Sequence, residues 1–311
     1  MYHLGRRSSG KPVQNSSDIA IRLLTPDDLA GALALSTTAG WNQRAEDWRM
    51  LLQIAPGGSF AALAGERIVG TAIGIDYGDF SWIAMMLVEP ALRGRGLGRR
   101  LLEAAMAAVP GDTPIRLDAT PLGRPLYQAY GFEDECTLTR CVAEGASRGR
   151  PPVHGFNEGR AMEPRRVTEE DLPVLAQEDR SVFGGDRHAV LRWALGIAPE
   201  YAQAVQDEGG RMQYCLGRRG RLFDQIGPVA SGSDGAARAL VGAALREAQG
   251  AVVMDVFDAR AGFMAWLQSC GFTPQRPLFR MRRPPRREGR TGGTPQPRAS
   301  AEFAILGPEF A

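Results

Sequence analysis

The sequence predicts an α/β (α+β) protein in which one fold occurs twice in tandem, each copy being a mostly antiparallel mixed sheet flanked by helices. Three observations support this prediction. A chain of 311 residues is longer than one ordinary core requires, so two domains are expected. Short apolar patterns typical of strands alternate with patterns typical of helices. Four segments of the first half also recur in the second half, in the same order.

The internal repeat is defined by pairs of similar segments. IRLLTPDDL resembles PRRVTEEDL, VEPALRGRGLGRRLLEAAM resembles IGPVASGSDGAARALVGAAL, LDA resembles MDV, and LYQAYGF resembles WLQSCGF. The aligned residues are Thr25 and Thr168, Pro90 and Pro228, Asp118 and Asp255, and Gly131 and Gly271. All four pairs are separated by about 140 residues, and this consistency favours two copies of one fold over chance similarity.

The first copy is predicted to follow the order strand, helices, three strands, helix, strand, helix. A strand at 20–23 leads into a helix opened by Thr25, because TPDD supplies an N-cap hydroxyl, a proline at the first helical position and two acids near the positive end of the helix dipole. The segments FAALA, RIVGTAIGI and FSWIAMMLV, separated by turn residues, predict an antiparallel sheet. The remaining predicted elements are a helical stretch at 41–54, a helix at 96–109, a strand at 115–119 and a helix at 124–130.

Composition marks where the two copies begin and end. Stretches that are rich in Gly, Pro, Ser and charge, without apolar periodicity, are typical of arms and linkers. The predicted segments are a disordered arm at 1–18, the first copy at 19–143, a linker at 144–163, the second copy at 164–283, a flexible basic and proline-rich segment at 284–299, and a C-terminal strand at 300–311.

Charge and residue usage exclude several classes of protein. With 37 basic and 35 acidic residues the formal charge is only +2, so no general affinity for nucleic acid or acidic membranes is expected. Nucleic-acid binding through the arginine-rich stretch 282–298 is a less favoured alternative. The chain lacks an apolar run long enough to cross a bilayer and begins without the apolar core of a signal peptide, so we expect a cytoplasmic protein. The four Cys and three His lie far apart in the sequence, so we expect no metal site.

The segment MMLVEPALRGRGLG, residues 85–98, carries the strongest chemical signal. Glycines at alternate positions leave the backbone bare where a strand becomes a helix, so several N–H groups can converge on an anion. A plain glycine-rich turn with a solvated basic rim is the alternative. The dinucleotide fingerprint GxGxxG fails because Arg99 occupies its third glycine position, and a P-loop fails because it requires a lysine that this segment lacks.

These residues resemble a known family. VEPALRGRGLG is similar to the acetyl-CoA signature V-x-P-x-x-[QR]-G-x-G-x-[GA] of the GNAT (GCN5-related) N-acetyltransferases, and LYQAYGF is similar to the closing helix-to-strand segment of that family. The resemblance covers about residues 19–142. AGWNQ, DWRMLL, WIAMMLV and GPEF resemble a tandem subgroup in which a divergent second GNAT copy follows the first.

The resemblance implies a coenzyme site in the first copy, with acetyl-CoA as the acyl donor substrate. Backbone amides of the loop would hold the pyrophosphate, and the strand before the loop would pair with the pantetheine arm. The implied coenzyme-binding residues are Met86, Leu87, Val88, Arg93, Gly94, Arg95, Gly96, Leu97, Gly98 and Arg99. The backbone N–H of Val88 would bond the thioester carbonyl. Tyr127 would protonate the departing thiolate, although Tyr130 is equally aromatic and lies one helical turn away.

The acceptor side is less well defined by the sequence. The resemblance places Trp41, Asn42 and Trp48 in the region that shapes the acceptor pocket, with core packing as the alternative for the two tryptophans. No residue stands out as a general base. The candidate bases are Asp76, Asp79, Glu89 and Asp118, and each of them is equally consistent with a structural or solvated acid.

The second copy departs from the family pattern. SGSDGA replaces RGRGLG, so that Asp234 stands where a diphosphate would lie, and Leu267 replaces the tyrosine. We therefore expect an inactive copy that contributes pocket walls or an interface. The predicted function is transfer of an acetyl group from acetyl-CoA to a primary amine of a small molecule or peptide by direct attack, without metal, nucleic-acid or membrane partners. The alternative is a non-catalytic acyl-CoA sensor or scaffold; the sequence does not indicate the oligomeric state.

Overall fold

The computed structural model describes residues 19–145, 163–285 and 299–311. The predicted arm at 1–18 lies outside the described residues, as do most of the predicted linker at 144–163 and most of the basic segment at 284–299. Within these described ranges, no helix has both the length and the apolar character that a membrane crossing requires.

The first copy follows the predicted order of elements and ends with a further long strand. Its elements are β1 (Ile19–Leu23), α1 (Leu29–Thr38), α2 (Ala45–Ile54), β2 (Ser59–Ala64), β3 (Arg67–Asp76), β4 (Ser81–Val88), α3 (Leu97–Ala107), β5 (Ile115–Ala119), α4 (Arg124–Gln128) and β6 (Glu133–Ala143). Helix α2 begins four residues later than the sequence predicts. The reason is local: the backbone N–H of Arg44 donates to the carboxylate of Asp47 (2.6 Å), which starts the helix at Ala45.

The second copy repeats this order from its short first strand onward. Its elements are β7 (Arg165–Arg166), α5 (Leu172–Phe183), α6 (His188–Ile197), β8 (Gln203–Gln206), β9 (Met212–Arg218), β10 (Asp224–Ala230), α7 (Asp234–Glu247), β11 (Val252–Phe257), α8 (Ala261–Ser269), β12 (Thr273–Arg283) and β13 (Glu302–Ile305). The repeat includes equivalent side-chain ion pairs. Arg22 binds Asp28 before α1 as Arg165 binds Asp171 before α5.

All strands belong to one continuous sheet. Its order is β1-β2-β3-β4-β5-β12-β6-β11-β13-β10-β9-β8-β7. The neighbours of β6 and β12 show that the copies exchange their last strands: β12 of the second copy lies beside β5 of the first, and β6 of the first copy lies beside β11 of the second. The copies are therefore consecutive along the chain but interlocked in the sheet.

The exchange has an approximate twofold symmetry centred on two leucines. β6 and β12 pair antiparallel with Leu138 opposite Leu278, which are equivalent residues of the two copies. Both side chains are buried in one small cluster together with Ile305. Because a residue and its own equivalent face each other, the two halves of the sheet are related by a local axis through this pair.

Two equivalent ion pairs hold the exchanged strands. Asp118 on β5 accepts two hydrogen bonds from Arg280 on β12 (both 2.9 Å). Asp255 on β11, the equivalent of Asp118, accepts two from Arg140 on β6 (both 2.7 Å). Both carboxylates are buried, and bidentate pairing by arginine is the geometry that best offsets the cost of burying them.

The C-terminal strand β13 lies inside the second copy. β10 and β11 pair in parallel only at their first residues and then separate, and β13 runs antiparallel between them. It closes the gap with backbone pairing on both sides, and Phe303 packs in the core of the second copy. The backbones of β10 and β13 approach closely, since a Cβ atom on Gly227 of β10 would collide with the carbonyl of Ile305.

The residues after β13 lie between the copies. Trp82 on β4 donates its indole N–H to the carbonyl of Pro308 (3.0 Å), and Arg218 on β9 binds Glu309. Leu306, Phe310 and Ala311 belong to a core that includes α2 and β4 of the first copy and α5 and α6 of the second. The segment 306–311 thus forms a buried wedge that contacts both halves.

Candidate active site

The glycine-rich loop leaves a group of amides without backbone partners. Gly94 and Gly96 adopt positive φ angles of 75° and 80°, a conformation that favours glycine. The first helical hydrogen bond of α3 runs from Arg100 N–H to Gly96 O (3.1 Å). In the described part of the chain, no backbone carbonyl accepts from the amides of residues 94–99. These amides lie at the positive end of the α3 dipole, an arrangement suited to an anion.

Strand β4 offers an open edge that leads to this loop. It pairs with β5 only at Ser81 and Trp82, after which the strands diverge. On the other side, Glu89 N–H donates to Val69 O on β3 (2.8 Å). Backbone groups of successive residues in a strand point to opposite neighbours, so the amide of Val88 is directed towards the open edge. An extended chain could therefore pair with β4 there.

A bulge interrupts β4 halfway along the open edge. Met85 and Met86 together face the single residue Ala72 of β3. Met85 has φ 52°, an uncommon value for a residue with a side chain, and its carbonyl accepts from the hydroxyl of Thr71 (2.8 Å). Bulges of this kind are over-represented next to active sites, where they redirect backbone and side-chain groups.

A cavity of about 450 Å³ lies beside the bulge, between the two copies. Its volume is in the range of small-molecule sites. Residues from both copies and from the C-terminal wedge line it, among them Trp41, Asn42, Gln43, Met85, Met86, Asp118, Tyr127, Arg140, Phe223, Gln275, Arg276, Leu278, Pro308 and Glu309.

Tyr127 lines the cavity, whereas Tyr130 does not. Burial raises the pKa of the Tyr127 phenol well above its usual range, so the group stays protonated. Its ring packs edge-on against Phe132. The Tyr130 hydroxyl instead donates to Glu103 on α3, on the outside of the first copy. The structure therefore separates two tyrosines that the sequence leaves equivalent.

Three of the four candidate bases lie away from the cavity. Asp76 accepts from Gly78 N–H in a turn (2.8 Å), Asp79 pairs with Arg180 (3.1 Å), and Glu89 pairs with Arg67 (2.6 Å). Asp118 lines the cavity, but both of its oxygens accept from Arg280. Both oxygens of Asp118 are therefore engaged in a bidentate ion pair.

The three residues expected on the acceptor side have different roles. Trp41 lines the cavity. Asn42 also lines it, but its amide bridges to the second copy: Oδ1 accepts from Leu222 N–H (2.8 Å) and Nδ2 donates to Phe223 O (2.9 Å). Trp48 differs from the expectation, because its side chain is fully buried in the core and its indole N–H donates to the hydroxyl of Ser36 (3.2 Å).

Most amides of the equivalent loop in the second copy, residues 232–237, have acceptors. Gly232 N–H donates to the side chain of Gln213 (2.8 Å), and Ser233 N–H donates to the Ser231 hydroxyl (3.2 Å). The Ser233 hydroxyl caps α7 by accepting from Ala236 N–H (3.2 Å). Because β13 fills the gap between β10 and β11, these two strands present no open edge to a ligand in the described part of the chain.

Comparison with known sequences places the chain in a family. Two sequence models described as acetyltransferase (GNAT) domains match residues 56–134 and 175–292, together more than half of the chain. The chain belongs to the GNAT acetyltransferase family. Proteins of this family use acetyl-CoA as donor. Among curated proteins, the uncharacterized N-acetyltransferase YitH from Bacillus subtilis (strain 168) is 26% identical over 251 residues, which covers 80% of this chain and 86% of YitH.

Solved structures show the same tandem GNAT architecture. A candidate acetyltransferase from Pyrococcus horikoshii matches with a TM-score of 0.71 at 22% identity, covering 98% of this chain and 99% of that one. A tandem GNAT protein from the clavulanic acid biosynthesis pathway matches with a TM-score of 0.62 at 16% identity, covering 85% of this chain and 98% of its own. These similarities support the fold of the whole chain.

The cavity of this GNAT protein includes residues that the sequence does not single out. Arg140, Gln275, Arg276 and Glu309 reach it only because the last strands are exchanged and the C-terminal wedge folds back between the copies. The sequence carried one usable signal: the apolar segment at the C-terminus is predicted as a strand, and a strand needs a partner.

Proposed function

We propose that the first copy transfers an acetyl group from acetyl-CoA to a primary amine of a small molecule or peptide. One observation carries the proposal: within the described residues, the amides of residues 94–99 have no backbone acceptor and stand at the end of an open β4 edge, whereas most amides of the equivalent loop in the second copy have acceptors and β13 fills the equivalent edge. One active and one closed copy therefore share a cavity.

The first copy fits the coenzyme in two places. The loop amides form a cradle for a diphosphate, because Gly96 is exposed and no atom of the described residues lies within 4 Å of the position of its Cβ. The side chains of Arg93, Arg95 and Arg99 are exposed around it and add charge-assisted hydrogen bonds. The open edge at residues 86–88 pairs with the pantetheine arm as an added strand would.

The chemistry requires a hydrogen-bond donor for the thioester carbonyl and an acid for the thiolate. The Val88 N–H is the donor that faces the open edge, and hydrogen bonds of this type stabilise negative charge developing on oxygen. The amine forms a C–N bond to the acetyl carbon, the C–S bond breaks, and Tyr127 supplies a proton to the sulfur. A phenol whose pKa is raised by burial holds its proton until a thiolate appears.

The amine is proposed to attack directly, without an acyl-enzyme. As far as the chain is described, no cysteine lines the cavity, and burial raises the pKa of Cys141, Cys215 and Cys270 above the usual range for a thiol. Raised thiol pKa values disfavour the thiolate that a nucleophile requires. Asp118 is charge-paired, so we propose that the amine enters already neutral or loses its proton to water.

Calorimetric titration with CoA tests the site. We expect one CoA per chain and at least about tenfold weaker binding in Gly96→Glu, because the new carboxylate would face the diphosphate. Gly65→Glu is a matched control: Gly65 also has a positive φ angle (63°) and open space at its Cβ, but it lies in the turn between β2 and β3.

A thiol-release assay with acetyl-CoA and a panel of amines tests the reaction. Turnover that is lost in Gly96→Glu and kept in Gly65→Glu is the expected result. Full binding and turnover in Gly96→Glu would show that the site is placed wrongly. CoA binding without thiol release for any amine would favour a sensor or scaffold over an enzyme.

A further inference from the structure

The cavity wall contains one charged side chain that has no ion-pair partner in the described chain. Four charged residues line the cavity: Asp118, Arg140, Arg276 and Glu309. Asp118 is bound by Arg280, Arg140 by Asp255, and Glu309 by Arg218. The side chain of Arg276 has no ion pair or hydrogen bond with any residue in the described ranges, and its buried Nε atom lacks an acceptor.

The fold places the guanidinium group of Arg276 in an electrostatically unfavourable environment. On the paired strands β6 and β12, Arg276 stands directly opposite Arg140, so two guanidinium groups adjoin. Burial, together with the charge of Arg140, lowers the pKa of Arg276, although Asp255 and Glu309 oppose the shift. Asp255 neutralises Arg140 through two hydrogen bonds, whereas neither Asp255 nor Glu309 forms an ion pair or hydrogen bond with Arg276.

A β-bulge changes the direction of the side chains in this part of β12. The register between β12 and β6 shifts between Pro274 and Arg276, which makes Gln275 an extra residue on β12. Gln275 and Arg276 both line the cavity next to Leu278. An inserted residue of this kind turns the side chains beside it, and in this protein they face the space between the copies.

We propose that Arg276 binds a carboxylate of the acceptor, so that the substrate is an amine that also carries a carboxylate group. This inference rests on the proposed acetyl transfer and names the substrate class of the same site. A guanidinium and a carboxylate match in plane, charge and hydrogen-bond geometry. Because Arg140 is already neutralised, the site has one positive charge to offer, which suits a monoanionic carboxylate better than a dianionic phosphate.

A second unpartnered group is consistent with a substrate that has polar groups at both ends. The buried Oε1 of Gln43, also on the cavity wall, has no donor in the described chain. An ammonium or amine N–H of the acceptor would supply one. Arg276 comes from the exchanged strand of the second copy, whereas Gln43 precedes α2 of the first, so the acceptor would contact both copies.

Binding measurements test the carboxylate site without requiring turnover. The protein, saturated with CoA, is titrated calorimetrically with N-acetylglycine, N-acetyl-β-alanine and N-acetyl-L-leucine, and with the carboxamide of each. We expect at least one carboxylate to bind at least about tenfold more tightly than its carboxamide. Arg276→Gln abolishes this preference and leaves CoA affinity unchanged. Arg282→Gln, an arginine on the same strand outside the cavity lining, keeps it.

Three results would overturn the proposal: no carboxylate binds better than its carboxamide, the preference survives in Arg276→Gln, or O-phosphoethanolamine binds more tightly than every carboxylate. Thiol release with glycine, β-alanine and L-leucine, and with their amides, separates the two proposals. Turnover only of amines without a carboxylate would overturn the substrate class and leave acetyl transfer standing. An Arg276-dependent carboxylate preference without thiol release would leave the site standing and overturn acetyl transfer.

Discussion

At the scale of single residues, the buried Tyr127 gives the most direct test of the proposed chemistry. Tyr127 lines a cavity beside the open edge of β4, and burial raises the pKa of its phenol. Tyr127→Phe removes only the hydroxyl, so we expect kcat to fall by about 10²-fold or more while the affinity for CoA is unchanged. The wild-type rate should also show no loss from tyrosine ionisation between pH 8 and 10, because the raised pKa keeps the phenol protonated in that range.

Tyr130→Phe is the natural control for this measurement. It removes the same atom from a tyrosine in the same segment, but one whose hydroxyl donates to Glu103 outside the cavity. Its kcat should stay within about twofold of wild type. Equal losses in the two variants would mean that neither hydroxyl acts as the acid.

A second prediction concerns Asp47 and the pH dependence of the stability of the folded state. It is buried against Arg218 and Glu309, and its pKa is raised from 3.8 to about 6, chiefly by burial and further by Glu309, although Arg218 opposes the shift. The folded state therefore holds this proton more tightly than the unfolded state. The stabilisation is complete below about pH 4 and is lost as the pH rises through about 6.

Asp47→Asn does not titrate in this range, so the comparison isolates the effect. The free energy of unfolding of the variant, minus that of wild type, should increase by about 2 kcal/mol between pH 4 and pH 7 and then level off. Urea unfolding of both proteins at four pH values measures it, and the titrating groups that do not interact with Asp47 cancel in the difference. A difference that does not change with pH would contradict the assigned pKa.

Some residues of the site could be predicted from the sequence and others could not. The amides of residues 94–99 follow from a local pattern, because glycine spacing and a helix start are properties of adjacent residues. Arg276 carries no such signal: it is one arginine of 36 in the chain, and what distinguishes it is that its side chain lacks a hydrogen-bond partner within the described ranges. Trp48 illustrates the reverse case, since a tryptophan pattern does not distinguish a core position from a pocket wall.

At the scale of elements, strands and helices were predictable and their partners were not. The order of β1 to β5 and the helices between them follows from apolar periodicity and turn residues, which act over short distances. The exchange of β6 and β12 depends on which of two similar strands lies beside β5. Because LTR at 138–140 and LFR at 278–280 present nearly the same pattern, the sequence contains no preference between the two pairings.

At this scale, strand β13 accounts for the difference between the two copies at the gap between β4 and β5 and at its equivalent between β10 and β11. In the first copy the gap between β4 and β5 is open and leads to free amides; in the second, a strand of the same chain pairs with both sides of the gap. The mode of pairing is the one proposed for the pantetheine arm, in which an extended chain is added to a strand edge. A segment that fills one gap and then lines the cavity of the other copy links the two halves.

At the scale of the whole molecule, the symmetric exchange predicts how one copy behaves alone. Residues 19–145 without the second copy lack β12 and β11, the two neighbours of β6, which leaves one edge of β5 and both edges of β6 unpaired. A second molecule of the same fragment can supply the missing strand, because β6 and β12 are equivalent and face each other around Leu138 and Leu278. Arg140, the equivalent of Arg280, would then bind Asp118 across the interface.

We therefore expect the fragment 19–145 to form a homodimer in which the local axis becomes a true twofold axis. Light scattering coupled to size exclusion should report twice the mass of the fragment, whereas the fragment with Arg140→Glu should not assemble, because a carboxylate would then face Asp118. A folded, monomeric fragment would contradict the prediction. It would mean that β5 and β6 satisfy their edges within one copy, and that the exchange is a consequence of linking the copies and not a requirement of the fold.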